Sequence, residues 1–456
     1  MTKWLARCPK CGLSRELVQV TPTCPNCGTP LLLLPDLREL RDRVTPDVLA
    51  NRVAGVWRYR EFLPVSRDPI TLGEGGTRLH ACRRLGREVD LRGLLVKDET
   101  KNPTGCFIDR GSTVLVSRIV EEGYQGVYGT VKGNLGASLA AYSARAGVGC
   151  AVRVDGPTDP AKLYQMIAYG AAVSPPDGRM EAPERYYNVL NSDPLLVEGE
   201  KTISLEVLES LGWEEPDAIV VPVGSGSLMT AIWKGITEAR ELGLVRSEGV
   251  RLYGVRPRED SAVALDLHFP KPDRLDQARE AVRESGGDLI TVGDEEMLEA
   301  SRKLARAEGI FAEPAAASTL AAAERLRVEG EISPSDTVVL IVTGSGLKDP
   351  TAAVRELERL HLTDAYVRGE RVGRPIGRTK TAILRILTSG KMHGYEIWRR
   401  LRGSGVEISL PAVYQHLKSL EEMGAIARVQ TVSKNGRSRV VYSITPRGRL
   451  LLSTVE

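Results

Sequence analysis

Four cysteines near the amino terminus are spaced for metal binding. They form two Cys-Pro-x-Cys-Gly turns, and twelve residues separate the two pairs. Four thiolates in a tetrahedron suit Zn²⁺, whereas a redox exchange would need only one Cys-x-x-Cys pair. Such a site leaves no position for water, so the pattern predicts structural zinc that supplies folding free energy to a short segment, residues 1–35. The predicted ligands are Cys8, Cys11, Cys24 and Cys27.

A second candidate site is the loop Gly224-Ser-Gly-Ser227. It follows the apolar run Ala218–Pro222 and precedes an apolar helical stretch. A loop of this kind aims backbone N–H groups at an anion, and the dipole of the following helix favours negative charge. Taken alone, the pattern is equally compatible with an ordinary strand–helix turn.

The elements that would position such a loop occupy residues 45–365. Short apolar runs alternate there with amphipathic helical stretches, which predicts an α/β fold with a doubly wound, mostly parallel sheet. Ligands of such sheets lie where Gly-rich turns leave the carboxyl ends of the strands. The runs predicted as strands are 94–96, 126–128, 149–154, 218–222, 252–255 and 338–343.

Residues 97–111 read Lys-Asp-Glu-Thr-Lys-Asn-Pro-Thr-Gly-Cys-Phe-Ile-Asp-Arg-Gly. This run resembles the signature of the threonine synthase branch of pyridoxal-phosphate (PLP) enzymes. The resemblance implies a fold type II, tryptophan-synthase-β-like body, and some prokaryotic members carry a similar amino-terminal zinc ribbon. Six further motifs resemble the family in the family's order: Thr71–Leu79, Val131–Asn134, Lys201–Glu206, Pro222–Ser227, Gly309–Pro314 and Thr343–Asp349.

The resemblance also implies roles for individual residues. The loop of Gly224, Ser225, Gly226 and Ser227 would hold the PLP phosphate, Asn134 would bond the ring hydroxyl, and Thr343 would lie at the ring nitrogen. The family's lysine in Phe-Lys-Asp-Arg-Gly forms the Schiff base and moves the α-proton. Ile108 stands at that position and can do neither.

Two further departures fall in the same predicted pocket. Lys132 replaces the threonine of the family's Ser-Thr-Gly-Asn, and Ser227-Leu228 replaces its common Gly-Asn. Lys132 is compatible with a substitute Schiff-base lysine, with a partner for a ligand carboxylate or phosphate, or with a neutral substitution. Lys101 and Lys348 are other lysines that could reach the site. Three changes in one pocket predict altered or lost catalysis, with PLP held non-covalently if it binds.

The carboxyl-terminal region differs from the body in charge. Residues 370–456 contain 16 Lys and Arg against 6 Asp and Glu, a surplus of ten positive charges. Because the whole chain carries a net charge of +3, the remainder carries −7. A basic tail on an acidic body indicates a polyanionic partner for the tail.

Residues 379–456 follow a Gly/Arg/Pro-rich stretch, 366–378, that is typical of a linker. They predict three helices and an Asn-Gly hairpin, which is a winged helix. The runs 393–397, 414–424 and 442–448 resemble the PadR-like transcriptional regulators. The third helix would enter the major groove of double-stranded DNA, and the wing would contact phosphates. The candidate contacts are Ser409, Tyr414, Gln415 and Lys418 on the helix and Lys434, Arg437 and Arg439 on the wing.

Together these features predict a metabolite- or PLP-sensing, DNA-binding transcriptional regulator that is a pseudoenzyme and a homodimer. One alternative is an active threonine synthase that converts O-phosphohomoserine to threonine through Lys132, and another is a scaffold with neither activity. No apolar run approaches the roughly 20 residues that span a bilayer. The amino terminus lacks a signal-peptide segment, so we expect a cytoplasmic protein without membrane contact.

Overall fold

A computed structural model describes residues 2–178, 180–247, 249–350, 352, 377–434 and 437–453. The chain divides into two compact units, Met1–Pro350 and Thr351–Glu456. Most of the predicted linker, residues 366–376, lies outside the described residues, as do Asn435 and Gly436 of the predicted hairpin turn. In the described part of the chain, no helix is both long enough and apolar enough to cross a membrane.

The first unit begins with a small antiparallel sheet. Strands β1 (Trp4–Arg7), β2 (Ser14–Glu16) and β3 (Leu32–Pro35) are ordered β2-β1-β3. Two cysteine turns follow β1 and precede β3. Gly12 and Gly28 take φ angles of +75° and +71° there, which favours glycine. Residues of this sheet share one hydrophobic core with the following body. The amino-terminal segment, residues 1–35, is called the ribbon below, and it is packed against the body.

Two further sheets form the centre of the first unit. The larger sheet has the order β12-β11-β10-β13-β5-β4 and is parallel except for the β4–β5 pair. The smaller sheet, β8-β7-β6-β9, is parallel throughout. The alternation of strands and helices thus folds as predicted, but into two sheets. The strands are β4 (Leu79–Ala81), β5 (Gly93–Asp98), β6 (Gly126–Val131), β7 (Gly149–Val154), β8 (Ala172–Ser174), β9 (Tyr186–Asn188), β10 (Ala218–Pro222), β11 (Arg251–Pro257), β12 (Leu289–Val292) and β13 (Thr337–Val342).

Helices cover these sheets, and three of them begin near the carboxyl ends of parallel strands. Helix α3 follows β5, α4 follows β6, and α8 follows β10. This arrangement brings three helix amino termini toward the ligand-binding edge of the fold. The helices of the first unit are α1 (Pro46–Ala50), α2 (Arg83–Glu88), α3 (Asp109–Glu121), α4 (Gly133–Ala146), α5 (Pro160–Ala168), α6 (Pro194–Glu200), α7 (Thr202–Ser210), α8 (Ser227–Glu241), α9 (Leu275–Ser285), α10 (Asp294–Glu308) and α11 (Pro314–Glu329).

A buried ion network fixes the start of α3. Arg110 donates to Glu99 at 2.6 and 2.8 Å and to Glu206 at 2.8 Å from each of two nitrogens. Lys97 donates to Glu206 at 2.6 Å. Burial alone would raise the pKa of Glu206, but Arg110 and Lys97 outweigh it and lower that pKa to about 2. All four side chains are buried and paired, so this network, the frame cluster, is part of the body's core.

The second unit is a winged helix. Its third helix, α14, buries Val413, Leu417 and Leu420. Ser409 caps this helix by accepting a hydrogen bond from the backbone N–H of Ala412 at 3.4 Å. The antiparallel sheet is ordered β14-β16-β15. The elements are α12 (Arg378–Thr388), β14 (Met392–His393), α13 (Gly394–Gly403), α14 (Leu410–Glu422), β15 (Ile426–Lys434), β16 (Arg437–Ile444) and α15 (Pro446–Ser453).

Candidate functional site

One cavity in the first unit collects residues from seven separate segments of the body. Its volume is about 80 Å³, well below the roughly 300–1,000 Å³ typical of small-molecule pockets. Leu267 and Phe269 account for part of this narrowness, because they lie against the backbone of Gly224. The predicted site residues in its lining are Ile108, Lys132, Asn134, Gly224, Ser225, Gly226, Ser227 and Thr343.

Ile108 lies directly before α3 and faces this cavity. Its backbone is helical, and its carbonyl accepts hydrogen bonds from the N–H groups of Gly111 and Ser112 at 2.9 Å. The side chain packs with the hydrophobic core on one side and borders the cavity on the other. At this place in the wall the chain therefore offers a hydrocarbon surface with no nucleophile and no titratable group.

Arg274 contacts the loop at residues 224–227 and fixes its backbone by a hydrogen bond. The backbone N–H of Arg274 donates to the carbonyl of Ser225 at 3.0 Å. Gly226 has φ +93°, and a Cβ there would lie 2.4 Å from the Arg274 carbonyl, so only glycine fits. The buried guanidinium donates to the carbonyls of Ser192 and Leu31 at 2.8 and 2.7 Å, which connects the loop with the ribbon.

A buried carboxylate touches the same loop. Ser227 donates from its hydroxyl to Glu200 Oε2 at 3.2 Å, and Glu200, at the end of α6, is 2% exposed. Burial raises the pKa of Glu200 to about 7, and the Ser227 hydrogen bond and the charge of Arg274 only partly oppose that shift. Sequence reasoning did not identify Glu200, since a Glu at a helix end is ordinarily solvated.

A second polar group lines the same cavity. Asn134 Nδ2 donates to Asp266 at 3.1 Å and to Glu313 at 3.3 Å. Lys162 also pairs with Asp266, and its Nζ lies 3.5 Å from Glu313 Oε2. Burial raises the pKa of Glu313 to about 7 despite Lys162. Neither Asp266 nor Glu313 was predicted as a site residue, because they are separated from Asn134 by 132 and 179 residues in sequence.

Lys132 occupies the N-cap position of α4 and lines the cavity, but its ammonium is engaged. Nζ lies 3.4 Å from Asp155 Oδ2 and donates to the Asp155 carbonyl at 3.3 Å. It also lies 5.2 Å from the centre of the Phe269 ring, within cation–π range. Lys132 is therefore the predicted substitute that the structure brings into the same cavity as Ile108.

The other two lysines considered from the sequence do not line this cavity. Lys348 is buried and donates to the Thr104 carbonyl at 2.7 Å and to Gln165 at 2.9 Å. Lys101 is exposed, and its Nζ lies 3.9 Å from Asp98. The Lys348 amine is thus hydrogen-bonded outside the cavity, and the Lys101 amine is exposed to solvent.

The cavity walls fit a PLP-like ligand in part. Asn134 Oδ1 is buried without a hydrogen-bond partner, so a donor on a bound ring would satisfy it. The glycine-rich loop precedes α8, whose amino terminus favours an anion. Ile108 does not fit the covalent attachment that PLP enzymes use. Asn134 and the glycine-rich loop are therefore the groups that would hold such a cofactor.

The four amino-terminal cysteines form a compact cluster. Their sulfurs all lie within 4.8 Å of one another, with Cys8–Cys27 at 3.5 Å and Cys11–Cys24 at 3.6 Å. A tetrahedral zinc with Zn–S bonds of about 2.3 Å would place its sulfurs about 3.8 Å apart. The backbone N–H of Cys11 points at Cys8 Sγ at 3.4 Å. The cluster therefore has the donor set and spacing of a metal site.

In the second unit, α14 presents a polar face opposite its buried one. Ser409, Tyr414, Gln415 and Lys418 are exposed there. Lys418 Nζ lies 3.9 Å from Glu422, a solvent-exposed contact that leaves it available to phosphate. The strands place the backbones of Lys434, Arg437 and Arg439 on the wing. Their side chains lie outside the described part of the structure.

Comparison with known proteins agrees with this geometry. Residues 70–344 match the family described as pyridoxal-phosphate dependent enzyme. The chain belongs to this family. Within it, the chain is 39% identical to the threonine synthase of Methanocaldococcus jannaschii over 386 residues, 78% of this chain and 95% of that protein. It is 34% identical to the threonine synthase of Methanosarcina acetivorans, over 79% of this chain and 96% of that one.

Two solved structures share the fold. A fungal L-serine ammonia-lyase from Rhizomucor miehei matches with a TM-score of 0.52 at 19% identity, over 61% of this chain and 95% of that one. Serine racemase from Dictyostelium discoideum matches with a TM-score of 0.50 at 22% identity, over 59% and 92%. Residues 383–454 match the transcriptional regulator PadR-like family. The predicted threonine-synthase-like body, fold type II and winged helix are thereby confirmed, and the cysteine cluster is compatible with the predicted zinc ribbon.

Proposed function

We propose that this chain is a DNA-binding transcriptional regulator whose threonine-synthase-like body senses a small molecule and does not catalyse. The observation that carries the proposal is Ile108, an aliphatic side chain in the cavity wall at the head of α3. An imine to PLP requires an amine at that place. The other groups around the cavity would still bind a ligand. The body would therefore have a binding pocket but no amine at position 108.

The ligand would be PLP, held non-covalently, or an amino-acid metabolite. Asn134 would bond a ring hydroxyl or another polar group, and Thr343, which is also in the cavity wall, would lie at a ring nitrogen. Residues 224–227 would contact a phosphate through backbone N–H groups. The four cysteines would hold a structural Zn²⁺ that fixes the ribbon on the body.

The second unit would read double-stranded DNA as a homodimer, because paired winged helices read half-sites related by twofold symmetry. The PadR-like match and the surplus of ten positive charges over residues 370–456 support this role. Ligand binding in the body would shift the population of the dimer arrangement that fits two half-sites.

One experiment tests the loss of catalysis. The purified chain is mixed with PLP, reduced with borohydride, and mapped by peptide mass spectrometry. We expect no modified peptide from the cavity in the natural sequence, and a modified residue 108 in the Ile108→Lys variant. A stoichiometric adduct on Lys132 in the natural sequence would contradict the proposal.

That outcome would support the alternative of an active threonine synthase. Lys132 favours it in one respect, since it lines the same cavity as Ile108 and Thr343. An adduct abolished by Lys132→Ala, together with phosphate release from O-phosphohomoserine, would establish the enzyme.

DNA binding is tested separately by fluorescence anisotropy over a salt series. We expect Lys418→Ala to weaken binding and to lower the slope of log K against log salt by about 1. Lys271→Ala, an exposed lysine of the body, is the matched control and should change neither. Binding that does not depend on salt would exclude a DNA-reading role and leave the scaffold interpretation.

A further inference from the structure

Glu200 occupies the place where the pocket would receive an anion. It lines the same cavity as residues 224–227, and its carboxylate accepts the Ser227 hydroxyl at 3.2 Å. Ser227 is the first residue of α8. The positive end of that helix dipole therefore already interacts with a negative group that belongs to the protein.

The surrounding charges leave this carboxylate uncompensated. In the described part of the chain, Glu200 forms no ion pair within 4 Å. Lys201, the next residue, pairs with Glu198 at 2.6 Å and Glu238 at 2.7 Å. The charge of Arg274 lowers the pKa of Glu200 in part. The hydrogen bonds of the Arg274 guanidinium, however, go to backbone carbonyls. Asp193, at the start of α6, adds another buried carboxyl group near Arg274.

A phosphate ester at this loop would meet the ionised carboxylate at close range. Phosphate monoesters carry about −1.5 to −2 charges at pH 7, because their second pKa is about 6. Like charges in a buried site oppose binding strongly. A protonated Glu200, in contrast, would donate its O–H to a phosphate oxygen.

Resting on the proposed function, we infer that Glu200 makes this pocket a proton-linked site for small phosphate esters. When the free site is ionised, as at pH 8, the Glu200 carboxylate takes up one proton from solvent for each phosphate ester bound. An analogue without the phosphate binds with no such uptake. Glu313 lines the same cavity but has Lys162 beside it, so Glu200 is the residue that couples ligand occupancy to pH near neutrality.

The test uses pyridoxine 5′-phosphate, which has no aldehyde and so cannot modify surface lysines, and pyridoxine as its unphosphorylated counterpart. Calorimetry of the full chain at pH 6.5, 7 and 8, in two buffers of different ionisation enthalpy, measures Kd and protons taken up. We expect the Kd of the phosphate to rise about fivefold between pH 7 and 8, with close to one proton taken up at pH 8. The Kd of pyridoxine corrects for ring ionisation.

Glu200→Gln is the informative variant, and Glu280→Gln, an exposed carboxyl of α9, is its matched control. Glu200→Gln should bind the phosphate at least tenfold more tightly at pH 8 and show no proton uptake, whereas Glu280→Gln should match the natural sequence. Absent binding, a pH-independent Kd, or no proton uptake by the natural sequence would each overturn the inference, even if the variant failed to fold. DNA binding measured without ligand tests the regulator role independently, so either idea can fail alone.

Discussion

Glu200 and Glu206 lie six residues apart on consecutive helices and are both buried, yet their environments differ. Glu206 accepts hydrogen bonds from Arg110 and Lys97, and its pKa is lowered to about 2. Glu200 accepts one hydroxyl hydrogen bond, and its pKa is raised to about 7. The two carboxylates thus differ in their cationic partners: Glu206 belongs to the frame cluster, whereas Glu200 lines the cavity without an ion pair in the described part of the chain.

The same contrast separates neighbours in the run 97–111. Arg110 is fully paired in the frame cluster, while Ile108, two residues earlier, offers the cavity no polar group. The frame cluster is thus a complete set of ion pairs, whereas the residue directly before α3 supplies no amine to the cavity.

The largest expected effect comes from removing the paired carboxylate. Glu206→Gln leaves Arg110 and Lys97 with an uncompensated buried charge, and breaking such a network costs about 3–5 kcal/mol. We expect a loss of this size in the free energy of unfolding at pH 7, measured by urea denaturation. Glu280→Gln should change it by less than about 0.5 kcal/mol. Equal losses from both variants would show that the frame cluster is not a stabilising unit.

Removing the unpaired carboxylate should act in the opposite direction. Because the pKa of Glu200 is raised from 4.5 to about 7, the folded state holds the proton more tightly than the unfolded state. Stability therefore falls as pH rises from about 4.5 through 7, by up to about 3 kcal/mol. Glu200→Gln should regain that amount at pH 8 and differ little from the natural sequence near pH 4.5. Denaturation curves at both pH values check the sign, and a destabilised variant at pH 8 would contradict it.

The smallest effect should come from the single hydrogen bond that Glu200 accepts. Ser227→Ala removes the hydroxyl donor to a charged acceptor, which contributes about 1.5 kcal/mol. We expect this loss at pH 8, where Glu200 is ionised, and a smaller one at pH 5. A double-mutant cycle with Glu200→Gln should show the coupling at pH 8. Additive effects there would mean that the hydroxyl stabilises the loop without acting on Glu200.

Local patterns predicted much of this molecule. The apolar runs 149–154 and 218–222 have the bounds that strands β7 and β10 have in the structure. The apolar spacing of Val413, Leu417 and Leu420 coincides with the face that α14 buries. Such features depend on the side-chain periodicity of a helix or strand, which residues close together in sequence specify.

By itself, the sequence determined the cysteine spacing, the glycine-rich loop and the aliphatic residue at position 108, because each is a property of one short segment. Only the tertiary structure decided that Glu200 meets Ser227, that Glu313 meets Asn134, and that Arg274 joins the ribbon to the loop. These contacts join segments 27, 179 and 243 residues apart. Whether a buried charge is paired depends on which distant side chains the fold brings within hydrogen-bond reach, and no local pattern encodes that distance.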